Sequence, residues 1–471
     1  MNEAELPSLD PSRFETMLDF ERWRRFDRSL RRGAALMEGR TLVHVNSTMN
    51  GGGVAELLSS VLGYLLGARI CSRWLVVEGT EEFFVLTKRI HYLLHGKEGD
   101  GGDLGPAEAE LYQSVLAAEF VPLAEQIKPG DVVILHDPQV VGLAPQLRDL
   151  GAYVIWNCHV GADVPNEHSR RAWDFLLPAA SRAHAQVFSR AQYEWDGLEA
   201  GRVVAIPPCI DAFSPKNQAM GRDQVDGILA ATGLSGQPRT GAATFTRVDG
   251  SRGQVFRTTK VIEECPLPPG APVVTQISRW DPLKDHAGVA RSFAEGVPLE
   301  LGAHLVLAGP SPEAVADDPE GATTLDELWD CIASLPASIR SRVHVACLPM
   351  QDTEENAAVV NALQRRSDVV VQKSLAEGFG LTVAEAMWKA RPTVASAVGG
   401  MQDQISNGVS GVLVDDPEDG CAFGVAISDL VRDRSRADAL GEAARASVVD
   451  NFLAPRYLSR YLELIASVMA A

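Results

Sequence analysis

Short apolar segments alternate with longer amphipathic segments along most of this chain. Segments such as 41–46, 131–136 and 273–277 have the length and composition of buried strands, and the residues between such segments repeat apolar positions at helical spacing. The alternation stops once, over 220–270, where glycine, arginine, threonine and aspartate are common. Strands separated by helices are typical of a parallel sheet covered on both faces. The sequence therefore predicts two doubly wound, Rossmann-like α/β domains.

The interruption sets the expected domain boundaries. With 471 residues, the chain fits two domains of ordinary size. We expect an N-terminal domain over 1–215, an interdomain segment with an inserted hairpin over 216–270, and a C-terminal domain over 271–452. The last residues, 453–471, read as a helix that is expected to return to the N-terminal domain. An amphipathic helix over 13–32 is expected to pack on that domain as an addition.

Composition argues against several functions. The 62 acidic residues outnumber the 43 basic ones, and the formal net charge of −19 disfavours binding to nucleic acid or to an anionic membrane. No apolar run reaches the roughly 18 residues of a membrane span, and nothing near the amino terminus looks like a signal peptide. The 7 cysteines are scattered, without a Cys-x-x-Cys pair. We therefore expect a cytoplasmic protein without a structural zinc site.

Two carboxylates flank a glycine turn in the second predicted domain. Glu377 precedes the turn and Glu385 lies in the helix that follows it. A strand-to-helix turn leaves backbone N–H groups aimed outward at the positive end of a helix dipole, where they can hold phosphate. Carboxylates beside such a turn can accept hydrogen bonds from the hydroxyls of a ribose or a sugar. The residues of this turn are Gly378, Phe379, Gly380 and Leu381.

A basic pair follows the first strand of the same domain. Arg279 and Lys284 come after 273–277, and ligands of open parallel sheets bind outside the carboxyl ends of the strands. Arginine offers a bidentate fork and lysine a point charge, and both suit a diphosphate. The alternative is a solvated turn, which is less expected for a basic pair in an acidic protein.

The first predicted domain has weaker signals. His159 follows a strand and is either structural or a donor to a sugar hydroxyl. Asp137 either caps the next helix or takes part in ligand binding, and the same two roles are open for Glu78. The turn with Gly52 and Gly53 matches neither the dinucleotide nor the Walker pattern. It is either a tight turn or a place where a β-carbon would block a phosphate or sugar. Cys158 and His159 point to opposite faces of a strand, which argues against a nucleophile dyad.

Together these residues resemble the donor site of retaining nucleotide-sugar glycosyltransferases with the GT-B architecture. The chain is most similar to the trehalose glycosyltransferring synthases within that group. Residues 237–261 form a longer segment than we expect for that family. The stretches that carry the resemblance are 44–48, 51–56, 77–79, 82–84, 136–139, 207–208, 210–211, 278–282, 377–382 and 384–389.

The resemblance implies a role for each matching residue. Arg279 and Lys284 would neutralise the nucleotide diphosphate and stabilise it as a leaving group. Glu377 would bind hydroxyls of the transferred sugar, and Glu385 would accept hydrogen bonds from the ribose. His159 would contact the donor sugar near its reacting end.

The resemblance also implies an architecture and a reaction course. Two Rossmann-like domains would face a central cleft, with an N-terminal helix and a C-terminal crossover helix. Gly52 and Gly53 would let the first domain approach the diphosphate, and the turn through 378–381 would hold phosphate or sugar oxygens. The α-configuration would be retained by same-face attack, without a protein nucleophile. No tightly bound cofactor and no protein metal site are predicted, although a divalent cation is allowed as a stimulant.

We therefore predict a retaining glucosyltransferase that moves glucose from ADP- or UDP-glucose to glucose, giving trehalose, with the reverse reaction also allowed. One alternative is the same donor chemistry with a sugar phosphate or a small polyol as acceptor. A second is a GT-B-shaped sugar-nucleotide epimerase. A third is a degenerate binding protein, which the intact charged residues argue against. The nucleotide base, the acceptor, the physiological direction and the oligomeric state stay open, with a homodimer as one option.

Overall fold

The structure is a computed structural model that describes residues 1–49, 53–235, 241–312 and 320–470. The chain divides into two compact units. Unit 1 comprises Met1–Cys209 and Phe452–Ala471, and unit 2 comprises Ile210–Asn451. Each unit contains a seven-stranded sheet whose strands are mostly parallel and are joined by helices. The prediction of two doubly wound α/β domains is confirmed.

The unit 1 sheet has the strand order β1-β3-β2-β4-β5-β6-β7. All neighbouring strands are parallel except β1, which pairs with β3 in the antiparallel sense. The strands are β1 (Asn2–Glu3), β2 (Leu42–Asn46), β3 (Ser72–Val76), β4 (Val132–His136), β5 (Tyr153–Cys158), β6 (Ala185–Phe188) and β7 (Val203–Ala205).

Helices cover both faces of the unit 1 sheet, and its central strands are therefore buried. All 5 residues of β2 and all 5 of β4 are buried, and side chains alternate between the faces of a sheet. The helices before residue 209 are α1 (Phe20–Leu36), α2 (Gly53–Gly67), α3 (Glu81–Leu94), α4 (Pro106–Ala124), α5 (Asp137–Val140), α6 (Ala144–Asp149) and α7 (Glu167–Ala180).

The unit 2 sheet has the order β10-β13-β12-β11-β14-β15-β16, and β8 and β9 form a separate two-stranded sheet. Only β10 is antiparallel to its neighbour in the larger sheet. The strands are β8 (Thr244–Thr246), β9 (Arg252–Gln254), β10 (Lys260–Ile262), β11 (Val273–Ile277), β12 (His304–Pro310), β13 (Val343–Leu348), β14 (Val369–Gln372), β15 (Thr393–Ser396) and β16 (Val412–Val414).

The first unit 2 helix precedes these strands, and the other helices lie between the strands or after them. Their apolar faces pack on the sheet in two clusters of buried side chains. The helices are α8 (Arg222–Thr232), α9 (His286–Gly296), α10 (Gly321–Ser334), α11 (Ala337–Arg340), α12 (Thr353–Arg366), α13 (Leu381–Trp388), α14 (Met401–Gln404), α15 (Gly420–Arg432) and α16 (Arg434–Asn451).

The structure differs from the expected domain boundaries over 216–270. This segment belongs to unit 2, which begins at Ile210. Helix α8 packs on α12, the expected hairpin forms between β8 and β9, and β10 extends the main sheet. Arg247 of the segment pairs with Asp352 at 2.6 Å and with Glu354 at 2.7 Å at the start of α12. These contacts make the segment part of a folded unit instead of a linker.

The two ends of the chain meet within unit 1. The last helix, α17 (Ala454–Ala470), packs against α1, where a β-carbon on Gly33 would lie 2.7 Å from the Leu462 side chain. The amphipathic stretch expected over 13–32 is two elements, a 3₁₀ helix and then α1. The break falls at Asp19, whose carboxylate caps α1 by accepting from the Arg22 N–H at 2.8 Å.

Three features are not found in the part of the chain that the structure describes. None of its helices is long and apolar enough to cross a membrane. No group of three or more His, Cys, Asp and Glu side chains there has the arrangement of a metal site. The seven cysteines, all of which are described, are free thiols.

Candidate active site

Arg279 and Lys284 follow β11 at the carboxyl edge of the unit 2 sheet. After β11 the chain forms a short 3₁₀ helix, Pro282–Lys284, which Asp281 caps with its side chain. The Gln276 amide donates a hydrogen bond to the Lys284 carbonyl at 2.7 Å. These contacts fix the backbone from which the Lys284 side chain extends, at the edge where ligands of open parallel sheets bind.

Lys284 and Glu377 form an ion pair at this edge. Lys284 Nζ lies 2.6 Å from Glu377 Oε2, and the same oxygen accepts from Ser374 Oγ at 3.1 Å. The two side chains are 17% and 12% exposed, so the pair is largely shielded but still open to a ligand. Arg279 is more exposed, with its guanidinium 3.8 Å from the Asp281 carboxylate. The structure thus brings both predicted cations and Glu377 to one edge of unit 2.

The glycine turn opens helix α13. Gly380 has a φ of 84°, in the left-handed region that glycine adopts at little cost. A β-carbon there would also lie 3.0 Å from the Met401 side chain. Leu381 begins α13, and the first N–H groups of a helix have no partner within the helix and lie at the positive end of its dipole. The turn can therefore offer backbone donors to an anion or a sugar oxygen.

Phe379 takes part in this turn through its backbone, because its side chain is buried. Its carbonyl accepts from Gln404 Nε2 at 2.5 Å, and the Gly378 carbonyl accepts from the Gly400 N–H at 3.1 Å. A β-carbon on Gly400 would lie 2.7 Å from the Phe379 Cα. Gln404 thus holds the turn in place, a function that no local sequence pattern indicated.

Glu385 is buried against a lysine that the sequence analysis missed. Its side chain is 4% exposed, and its carboxylate lies 3.6 Å from Lys216 Nζ. The Trp388 indole donates to the Asn217 carbonyl at 2.9 Å, and Lys389 Nζ donates to the Asn217 amide oxygen at 2.9 Å. Residues 216–217 therefore dock on α13, although they are distant from it in the chain.

A second ion pair joins the loops after β11 and β14. Lys373 is buried and its Nζ pairs with the carboxylate of Asp285. Asp285 has a φ of 45° and also caps α9 by accepting from the Gly288 N–H at 2.9 Å. The Lys373 N–H donates to Gln276 Oε1 at 2.9 Å. Lys373 supports the edge of the sheet that carries Lys284. Its position at the end of an apolar run was the only sequence feature that could have indicated this role.

In unit 1, His159 follows β5 at the carboxyl edge of the sheet and is half-buried. Its backbone N–H donates to Asp137 Oδ1 at 2.7 Å. Asp137 begins α5 with a φ of 64°, and its carbonyl accepts from the Trp156 indole at 3.0 Å. Burial raises the pKa of Asp137 above its ordinary value. Asp137, for which two roles were open, therefore positions His159.

Three histidine rings lie in a row at this edge. His44 Nδ1 is 2.9 Å from His136 Nε2, and His136 Nδ1 is 3.4 Å from His159 Nε2. Burial lowers the pKa of His44 to about 3 and places those of His136 and His159 below 6.5. The three rings are therefore neutral near pH 7. His44 and His136 were missed as partners of His159, because they come from other strands.

The glycine turn of unit 1 is described only in part. Gly53 begins α2, whereas Gly52 lies outside the described residues. Asn46, at the end of β2, donates to the Thr48 carbonyl at 2.6 Å and accepts from the Trp74 indole at 2.8 Å. These contacts fix the backbone as it leaves β2.

Two other residues near strand ends have structural partners. Glu78 accepts from the Asn2 side chain at 2.6 Å. Cys158 is buried, its Sγ donates to the Val160 carbonyl at 3.2 Å, and burial raises the pKa of its thiol well above the ordinary value. A thiol in that state is a poor nucleophile, in agreement with the argument against a Cys158–His159 dyad.

Two family models match the chain. One, described as trehalose synthase, N-terminal domain, matches residues 44–195, which lie in unit 1. The other, described as glycosyl transferases group 1, matches residues 259–447, which lie in unit 2. A trehalose synthase from Rubrobacter xylanophilus is 34% identical over 439 residues, which cover 93% of this chain and 92% of the relative.

Solved glycosyltransferase structures share the fold. An alpha,alpha-trehalose-phosphate synthase (UDP-forming) from Burkholderia vietnamiensis has a TM-score of 0.67 and 16% identity, and the match covers 91% of this chain and 98% of the other. The Anabaena protein HepE, in complex with UDP and glucose, has a TM-score of 0.61 and 14% identity, covering 91% and 100%. At these identities the likeness shows the fold alone, which is GT-B.

Proposed function

The chain belongs to the trehalose synthase family of glycosyltransferases, and from that premise we propose that it transfers glucose from ADP-glucose or UDP-glucose to free glucose. The products are trehalose and a nucleoside diphosphate, and the proposal includes the reverse reaction. Its seven free cysteines agree with our further proposal that the protein works in the cytoplasm.

The observation that carries the proposal is the contact between Lys284 and Glu377 at the carboxyl edge of unit 2. A nucleotide sugar combines a diphosphate with neutral hydroxyl groups. A lysine offers charge to the diphosphate, and a carboxylate accepts hydrogen bonds from the hydroxyls. The turn at the start of α13 adds backbone donors beside this pair. A cation and a carboxylate held together can thus bind the diphosphate and the hydroxyl groups of such a donor.

In the proposed reaction, the bond between glucose C1 and the diphosphate oxygen breaks, and C1 forms a bond with a hydroxyl oxygen of the acceptor. Arg279 and Lys284 stabilise the charge that develops on the leaving diphosphate. The leaving phosphate takes the acceptor's proton on the same face of the sugar, so the α-configuration is retained. Catalysis then rests on positioning and charge stabilisation, and no side chain acts as a nucleophile.

The other site residues bind the donor in this proposal. Glu385 accepts from the ribose hydroxyls while Lys216 holds its carboxylate in place. The turn through 378–381 holds phosphate or sugar oxygens. His159 donates to a hydroxyl of the transferred glucose. Gly53 leaves space at the start of α2 for the diphosphate.

Two of the solved neighbours support particular choices of donor and acceptor. The HepE structure contains UDP and glucose, which supports a nucleoside diphosphate glucose as donor. The Burkholderia neighbour is by name a trehalose-phosphate synthase, and this favours a sugar phosphate as the alternative acceptor. Both remain proposals for this chain.

The test is to incubate the protein with labelled ADP- or UDP-glucose alone, then with glucose, and then with glucose 6-phosphate. We expect α,α-linked disaccharide and free diphosphate only when glucose is present, with the linkage read by NMR. Product with glucose 6-phosphate alone would select the alternative acceptor. An epimerised donor without any acceptor would indicate the epimerase, and tight donor binding without turnover would indicate a binding protein.

A further inference from the structure

A buried histidine lies behind the basic pair of unit 2. His286 is the first residue of α9, two residues after Lys284, and it is only 1% exposed. Such a side chain has lost its hydrogen bonds to water, so its partners within the protein decide its role. His286 Nε2 lies 3.2 Å from the Arg279 carbonyl oxygen and 3.0 Å from Ser278 Oγ. The ring therefore joins the two ends of residues 278–286, the basic loop that carries both cations.

The Arg279 carbonyl decides which ring nitrogen of His286 carries the proton. A carbonyl oxygen only accepts, so this hydrogen bond requires the proton on Nε2. Ser278 Oγ can accept from the same N–H. The other tautomer would turn an unprotonated Nε2 towards the carbonyl and bury an N–H at Nδ1, which has no partner among the described residues. Burial lowers the pKa of His286 to about 4, so the ring is a neutral donor near pH 7.

Trp280 fixes the orientation of this ring. The ring centroids of Trp280 and His286 are 4.7 Å apart, with their planes at 46°. Trp280 is itself anchored on the neighbouring strand β12, because its indole donates to the Pro310 carbonyl at 2.7 Å. A β-carbon on Gly309, in the same strand, would lie 2.6 Å from the indole. His286 therefore packs against a wall that cannot shift without losing these contacts.

The two cations of the basic loop are held by different contacts. The Lys284 backbone is held by its N–H, which donates to the Asp281 carbonyl at 2.8 Å, and by its carbonyl, which accepts from the Gln276 amide at 2.7 Å. The Arg279 carbonyl accepts from the Asp281 N–H at 2.9 Å and from His286. Like charges in a short loop repel each other. A neutral donor that spans seven residues can oppose this repulsion without adding a third charge.

We propose that His286 is a positioning residue that holds Arg279 in place for the diphosphate of the donor. The inference rests on the proposed function, in which Arg279 and Lys284 bind that group together. A diphosphate contacts both cations only if their backbones keep a fixed separation, and positioning of this kind can be worth about a hundredfold in rate. His286 itself touches no substrate, because its ring is buried and its donor is used within the protein.

Two substitutions separate the donor from the space that the ring fills. His286→Phe keeps an aromatic ring beside Trp280 but removes the N–H, whereas His286→Gln keeps a neutral N–H donor. We expect His286→Phe to raise the Kd for ADP or UDP about tenfold, measured by calorimetry, and to lower kcat/KM for the nucleotide sugar about ten- to a hundredfold. His286→Gln should stay within about threefold of the native protein in both. His304→Gln, in the buried histidine pair of unit 2, is the control and should change neither.

A double-mutant cycle distinguishes a positioning histidine from one that only stabilises the fold. Arg279→Ala removes the guanidinium that His286 holds, so adding His286→Phe should raise the Kd by less than about twofold further. In a Lys284→Ala background the same substitution should still cost about tenfold, because Gln276 holds Lys284 separately. If His286→Phe costs as much without Arg279 as with it, the ring does not act through Arg279 and the proposal is wrong.

The native chain gives a second test, which also serves if His286→Phe does not fold. In the full chain labelled with ¹⁵N-histidine, nitrogen shifts separate protonated from unprotonated ring nitrogens, and His286→Gln assigns the signals. We expect a neutral ring with its proton on Nε2 down to about pH 5, because the pKa is about 4. A proton on Nδ1 overturns the proposal.

These outcomes are separate from those that test the proposed function. If the protein transfers glucose while His286→Phe binds the diphosphate as the native protein does, the role of His286 is refuted and the proposed function stands. If ADP or UDP binding depends on His286 and Arg279 together but no glucose is transferred, the proposed function is refuted and the role of His286 stands.

Discussion

The carboxyl edges of the two sheets are built from different chemistry. In unit 2, ion pairs join side chains from segments that are distant in the chain. In unit 1 the edge presents a row of neutral histidines joined ring to ring. The unit 2 pairs are Lys284–Glu377, Lys373–Asp285 and Lys216–Glu385, and the unit 1 row is His44, His136 and His159.

The difference shows how an acidic chain can hold a charged ligand. The net charge of −19 describes the whole surface, whereas Lys284 and Arg279 place positive charge at one edge. A leaving diphosphate needs that charge, because electrostatic stabilisation is strong where water is partly excluded. The hydroxyls of a sugar are neutral and are bound by hydrogen bonds that need no charge, and a neutral imidazole has one donor and one acceptor nitrogen for such bonds. We therefore expect unequal losses when the two edges are altered.

The largest effect is expected from Lys284→Ala, which removes charge from the unit 2 edge. Turnover should fall on the order of 10²–10³-fold, because the leaving diphosphate loses one stabilising cation. The melting temperature should fall only moderately, because the shielded Glu377 carboxylate loses its lysine but still accepts from Ser374 Oγ at 3.1 Å, and turnover is compared at a temperature where both proteins are folded. Lys260→Ala, at an exposed position of unit 2, is the control. Full turnover in Lys284→Ala would show that the leaving-group role is wrong.

Glu385→Gln should act mainly on donor binding. We expect the KM for the nucleotide sugar to rise about ten- to a hundredfold, because a hydrogen bond to a charged group is lost from the ribose. The same donor with a deoxyribose should bind the native protein more weakly by a similar factor. It should bind Glu385→Gln no worse than the ribose form does. If the missing hydroxyls cost the variant as much as the native protein, Glu385 does not contact the ribose.

His159→Gln alters the neutral edge and should have a smaller effect. One neutral hydrogen bond is worth about tenfold at most, so we expect kcat to fall by about that factor. The ratio of native to variant kcat should also be insensitive to added salt, because no charge is removed. His184→Gln, half-buried before β6 in the same sheet, is the control. A loss as large as that of Lys284→Ala would remove the contrast between the two edges.

The smallest effect concerns stability in acid, where the two units should behave alike. Burial lowers the pKa of His44 in unit 1 to about 3 and that of His304 in unit 2 to about 4. The unfolded chain protonates these rings below about pH 6.5 and the folded chain does not, so the unfolded state binds more protons. The free energy of unfolding should therefore fall as pH decreases from 6.5 towards these values.

Urea titrations at several pH values measure this slope. We expect His44→Gln and His304→Gln each to flatten it, because each removes one ring that only the unfolded chain protonates in this range. His304 contacts His344, and His344 contacts Glu263 at 2.6 Å. The change in the pH dependence of stability caused by His304→Gln therefore reports on these three residues together. A slope unchanged by both substitutions would contradict the burial of neutral rings.

Much of the fold and part of the site could be predicted from local patterns. The strands and helices follow from the spacing of apolar residues, and Lys284, Glu377 and His159 follow from being polar near strand ends. The glycine turn at Gly380 was visible because a positive φ favours glycine. Lys216 and Gln404 were not visible, since each supports a residue from a distant segment.

The sequence by itself determined where strands end and which polar residues stand there, because these properties depend on neighbours in the chain. Only the tertiary structure decided which strand ends are adjacent. The order β2-β4-β5 lines up His44, His136 and His159, and the return of α17 places Tyr461 beside the same row. The physical reason is that sheet order and helix packing bring together residues with no shared local pattern, and the hydrogen bonds between them exist only once the chain has folded.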